Sequence, residues 1–166
     1  MRSLAEEHVK RIAMTVVIGL AMIELAAPAR SQETPGKQAY VPGLGEFMSA
    51  IQLRHAKLWF AGQANNWELA DYQLDEMKEV LEDAAKFNPN YKKLPIAAMI
   101  KANMETPLAD LAKAIGAKDS SGFAKAFDVL TEACNTCHAG TQRGFIRMQR
   151  PTAPPVSNQV FAPARK

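Results

Sequence analysis

The chain has 166 residues, 48% of them apolar, and 20 Lys and Arg against 17 Asp and Glu give it a formal net charge of +3. That length suits a single domain around one core. Acidic residues outnumber basic ones between Glu33 and Glu132, which excludes a polybasic nucleic-acid surface on the body of the chain, whereas Arg143, Arg147, Arg150, Arg165 and Lys166 follow Glu132 with no acid among them and favour an anionic group at that end.

Residues 1–31 read as a secretory signal peptide. Arg2, Lys10 and Arg11 precede an apolar run from Ile12 that closes in small residues between Ala27 and Ser31, so cleavage is expected after Ala29 or Ser31. The run is short and contains Glu24, which argues against a full membrane span. A periplasmic mature chain is therefore predicted, with an uncleaved N-terminal anchor as the alternative. Residues 32–43 hold Pro35, Gly36 and Pro42 and form a flexible lead-in.

The body, residues 44–142, is predicted to be all-α. From Leu44 to Asn65, Phe47, Met48, Ile51, His55, Leu58 and Trp59 recur at steps that share one helical face. Gly62 continues that face without apolar bulk, so the first helix is expected to fray there. Asn65, with Glu68 three residues on, offers a capping box for a second helix whose stripe is Trp67, Ala70, Leu74, Met77, Leu81 and Ala84. Asn88 and Pro89 end it. A third helix, from Ile96 to Ala117, is expected to kink or split at Thr106 and Pro107. Ser120 or Ser121 caps a fourth, which turns Phe123, Phe127, Leu130, Cys134 and Cys137 inward and stops near Gly140. Residues 143–166 form an extended, proline-rich basic tail that Phe145, Ile146 and Phe161 lay over the body. With short connections and no strand pattern, the architecture is an antiparallel up-down-up-down four-helix bundle. Trp59, Phe60 and Trp67 gather at its first turn as end-of-bundle core.

The two cysteines stand three apart in CNTCH, where they cannot staple a fold as an exported protein's cysteines usually do. On a helix that spacing turns both thiols to one side, where each can add to a vinyl group along a haem edge, and His138 can turn its imidazole to the iron. One covalently bound haem c, attached through Cys134, Cys137 and His138, is the expected cofactor. Zinc would need two more ligands, and the mature chain offers only one other His and no other Cys. A thioredoxin-like dithiol would open a helix in a βαβ unit, and this pair closes one.

A single CNTCH late in the fourth helix of an exported bundle resembles the class II c-type cytochromes, the cytochrome c-prime and cytochrome c-556 group. The likeness covers Leu44 to Gln142 in architecture and only the motif in letters. It implies electron transfer and raises dimerisation through the first helices. Cytochromes c-prime usually carry a basic residue four positions after the haem His, where this chain has Gln142, with Arg143 next.

The sixth iron position decides function. In an antiparallel bundle the end of helix four lies level with the start of helix one, where Met48 stands on the inner stripe, and the c-556 group takes a Met ligand from this region. His55, seven residues on and about 10 Å deeper at 1.5 Å per residue, is the alternative, and Met148 in the tail is a remote one. With His/Met ligation the chain is an electron carrier and not an enzyme, its partner a redox protein with an acidic face. With an open site it binds NO or CO, as c-prime does. A peroxidase-type enzyme is the remote reading, because His55 is its one obvious acid–base group. Arg143, Arg147 and Arg150 are candidates to pair with haem propionates.

Overall fold

The computed structural model describes residues 40–164, so the expected signal peptide and most of the lead-in lie outside the described residues. Four helices follow in order: α1 Leu44–Gln63, α2 Trp67–Phe87, α3 Ile96–Gly116 and α4 Ser120–Gly140. Successive helices pack on one another, and α1 closes the ring against α4 along the loosest of the four seams. This is the four-helix bundle that the periodicity predicts. No helix among the described residues is long and apolar enough to cross a membrane.

The buried positions follow the helical repeat. Ala70, Leu74, Met77, Leu81 and Ala84 line the inner face of α2, and Ile96, Ile100, Met104, Pro107, Leu111 and Ile115 that of α3. The expected break at Thr106 and Pro107 is absent. Pro107 is itself buried in step with Met104 and Leu111, and the apolar stripe on either side of it holds α3 as one helix.

Three helices end alike. Asn65, Lys118 and Gln142 adopt φ of 55°, 56° and 60°, and in each case the next amide reaches back five residues: Asn66 N to Ala61 O at 2.9 Å, Asp119 N to Ala114 O at 3.0 Å, and Arg143 N to His138 O at 2.7 Å. These are Schellman closures, which satisfy carbonyls that a helix end leaves free. The first two double as starts. Asn66 accepts from Leu69 N at 3.2 Å and Asp119 from Ser121 N at 3.0 Å, capping α2 and α4. The expected caps at Asn65 and at Ser120 or Ser121 are therefore displaced by one or two residues, because the left-handed residue precedes the cap.

Gly62 marks no frayed end. It is buried, and a Cβ built there would lie 2.1 Å from the Phe123 ring. That ring is fully buried and meets Trp59, Trp67 and Phe127 with centroids 6.0 to 6.2 Å away. The aromatic cluster plugs one end of the bundle, and the missing side chain lets α1 and α4 close around it.

Beyond α4 the tail turns back along the seam between α1 and α4. Asn135 binds the backbone of Met148, Arg150 pairs with Asp128 at 2.6 Å and lies 4.6 Å over Trp59, and Phe161 packs on Phe60 at 5.6 Å while its carbonyl accepts from Asn66. Of the apolar residues expected to hold it down, Phe161 does so, whereas Phe145 is 78% exposed.

Gly62→Ala is expected to lower stability by up to about 2 kcal/mol in urea unfolding, since overpacking against a fixed ring costs about 1–3 kcal/mol and a helix-propensity gain of about 1 kcal/mol offsets part of it. The turn between α2 and α3 gives the opposite expectation. Lys92 and Lys93 occupy φ of 48° and 70° between the reciprocal bonds of Tyr91 and Leu94, a pair of left-handed residues that Asn-Gly adopts with far less strain. Replacing both, Lys92→Asn with Lys93→Gly, is expected to raise the urea midpoint by the equivalent of about 1 kcal/mol or more.

Candidate cofactor site

At the end of the bundle opposite the aromatic plug, all four helices contribute to a partly enclosed cavity of about 300 Å³. Its walls are chiefly aliphatic and thioether: Leu44, Met48 and Ile51 from α1, Met77 and Leu81 from α2, Ile96, Ile100 and Met104 from α3, and Ile146 and Met148 from the tail. Cys134, Cys137 and His138 stand together in the α4 wall. Among the described lining residues there is no carboxylate and no second histidine. Such a lining suits a flat apolar group held by a few polar atoms.

The thiols are protonated. Burial, helped by the neighbouring Cys137, pushes the Cys134 thiol up to about 11, and burial also raises that of Cys137. Both lie in the last turns of α4, where the helix dipole disfavours a thiolate. A dithiol exchange centre needs the reverse, a depressed pKa at a helix start. A thioether carries no charge, so the same apolar wall accepts it without penalty.

His138 is held by the turn that follows it. The Schellman closure on its carbonyl reverses the chain, Ile146 N donates to Arg143 O at 2.8 Å, and the Ile146 carbonyl comes to 2.9 Å from His138 Nδ1. A carbonyl only accepts, so Nδ1 carries the proton and the Nε2 lone pair is free for a metal. This is the second-sphere hydrogen bond by which ligating histidines are oriented and made more basic.

Met48 and His55 part company. Met48 lines the cavity that His138 also lines. His55 does not. It is buried one layer deeper, with Nε2 2.8 Å from Thr131 Oγ1 and its ring 4.4 Å from that of Phe127. Thr131 in turn donates to Phe127 O, so its hydroxyl accepts the His55 Nε2–H and the pair ties α1 to α4.

The arginines are also separated. Arg143 lines the cavity, its Nη2 3.5 Å from Tyr91 Oη and its guanidinium 5.9 Å from the Tyr91 ring, and that contact with Lys92 nearby lowers the phenol pKa. Arg150 is committed to Asp128 and Trp59 along the tail, and Arg147 is exposed outside the lining. Tyr91 and the Ile146 carbonyl belong to the site and carry no sequence signal: a backbone oxygen has none, and Tyr91 gains its place through the Lys92–Lys93 turn.

Together the fold and the site define a four-helix bundle with a CNTCH triad facing an apolar, thioether-rich cavity. Comparison with protein-family models, with curated proteins and with solved structures returned no match.

His55 gives a pH signature. Burial lowers its pKa from 6.5 to about 4, so between those values the unfolded chain binds a proton that the native chain refuses, and stability falls as pH drops through that window. The full loss is on the order of 3 kcal/mol. Urea unfolding at pH 7 and pH 4.5 is expected to show this fall in the wild type and a smaller one in His55→Leu.

Proposed function

We propose that this chain is an exported mono-haem c-type cytochrome of class II type, acting as an electron carrier whose iron would be held by His138 and Met48. The observation that carries the reading is the His138 Nδ1–H bond to the Ile146 carbonyl, which fixes the tautomer and leaves Nε2 as the donor in a cavity shared with both cysteines. The residues present fit the group: two neutral thiols for the thioether links, one oriented imidazole, a soft thioether on the facing helix, and an apolar wall between them.

The haem would supply a one-electron couple, and the chain's own residues do the rest. Cys134 and Cys137 would hold the group without loss on dilution. His138 would donate through Nε2. Met48, softer than an imidazole, would favour the reduced state and raise the potential. Arg143, beside Tyr91, is the cation placed to neutralise a propionate, and the basic tail would attract an acidic redox partner from periplasmic solution. His55, neutral and bonded to Thr131, supports no distal acid–base role at the cavity, which favours a carrier over a peroxidase-type enzyme.

Purified protein from a host that matures c-type cytochromes is expected to give a covalent haem in the pyridine haemochrome assay, and Cys134→Ala with Cys137→Ala to abolish it. Wild-type spectra are expected to be low-spin, with the far-red band of Met ligation and no response to CO. Met48→Ala is expected to turn them high-spin and CO-reactive, and His55→Leu to leave them as they are. A wild type that is already high-spin and CO-reactive would replace the carrier reading with gas binding at an open site.

A further inference from the structure

Asn135 stands inside CNTCH between the two cysteines, on the side of α4 met by the returning tail. Its Oδ1 accepts from Met148 N at 2.7 Å and its Nδ2 donates to Met148 O at 3.1 Å, so one side-chain amide is paired with both polar atoms of one backbone residue. Two residues earlier the tail is tied again, by Ile146 N to Arg143 O at 2.8 Å and through Arg143 N to His138 O at 2.7 Å. The Ile146 carbonyl lies between these ties, 2.9 Å from His138 Nδ1. On its far side Asn135 supplies the polar tie, beside the packing of the Met148 side chain on the core; Arg147 and Gln149 are exposed, and the next polar anchor is Arg150 on Asp128.

We propose that Asn135 is a positioning residue for His138: by clamping the Met148 backbone it aims the Ile146 carbonyl at Nδ1 and so sets how strongly the imidazole donates through Nε2. This rests on the haem reading. A shorter, straighter Nδ1–H bond gives the ring more imidazolate character, and a stronger donor favours the oxidised iron and lowers the reduction potential. The second letter of the motif thereby acts on its last through residues 146–148 of the returning chain.

The test uses the haem-loaded full chain. In Asn135→Ala, amide hydrogen exchange at Met148 is expected to lose about tenfold in protection, the size of one hydrogen bond. The His138 Nδ1 proton, followed by NMR in the reduced protein, is expected to exchange faster, and the potential measured by spectroelectrochemical titration to move positive. Asn66→Asp is the control. It keeps the Oδ1 cap on Leu69 N and removes the donor that holds Phe161 and Ala162, freeing the far end of the tail; the potential and the Nδ1 proton are expected to stay put. An unprotected Met148 amide with an unmoved potential and Nδ1 proton would reduce Asn135 to a tail anchor and overturn the proposal, and so would equal shifts in both variants. Absence of covalent haem from the wild type would be a separate failure, of the cofactor reading, and Nδ1 exchange would still decide the positioning role.

Discussion

The contact between the Phe123 ring and the bare backbone of Gly62 sets the register of α1 against α4. Because no other residue fits beneath the ring, the two helices are pinned at that layer, and each further layer follows at about two turns. One step from Gly62 towards the start of α1 is His55, which meets Thr131, about two turns beyond Phe123 on α4. A second step brings Met48, on the cavity that His138 also lines. Rings fill the first layer and a hydrogen bond ties the second. In the third, the helices are held by neither, and the cavity lies there. A bundle closed by aromatics at one end and left with flexible thioethers at the other has room for a flat group without a hole through its core.

The tail completes that loose end. A four-helix bundle whose α1–α4 seam is its weakest would expose the edge of the cavity, and the chain beyond Gly140 runs back along this seam with side chains from both helices gripping it. Its first ties are local and backbone-made, which is why the stretch needs no helix or strand to be ordered. The left-handed Gln142 makes the reversal possible. The neighbouring Arg143 lines the cavity.

Much of this was legible before the fold. Periods of three and four residues give each helix its inner face, and the two-turn offset from Met48 to His55 sets the two at different depths while leaving His55 open as the alternative ligand. What sequence hid has a common physical origin. Asn65, Ser120 and Ser121 looked like caps because polar residues before an apolar run usually are, but a Schellman closure uses one residue in the left-handed region before the cap can form. Gly62 looked like a weak point because a missing side chain reads the same whether it leaves a gap or admits a neighbour. Pro107 looked like a break because local cost is visible in sequence and the burial that outweighs it is not. The Ile146 carbonyl and the Asn135 clamp depend on the path of a tail without any period to read.

The two histidines are held in different ways, and the difference follows from their partners. His55 is enclosed, meets one hydroxyl and no anion, and so is kept neutral, its Nε2 occupied as a donor; it can hold helices together and can accept little else. His138 is half-buried, and its Nδ1 is occupied by a fixed carbonyl, which leaves the nitrogen on the other side of the ring with its lone pair and no protein partner among the described residues. A histidine placed for packing satisfies itself inward. On the proposed haem reading, the free nitrogen of His138 would give its lone pair to the iron, and the two thiols on the same wall would meet the vinyl edge.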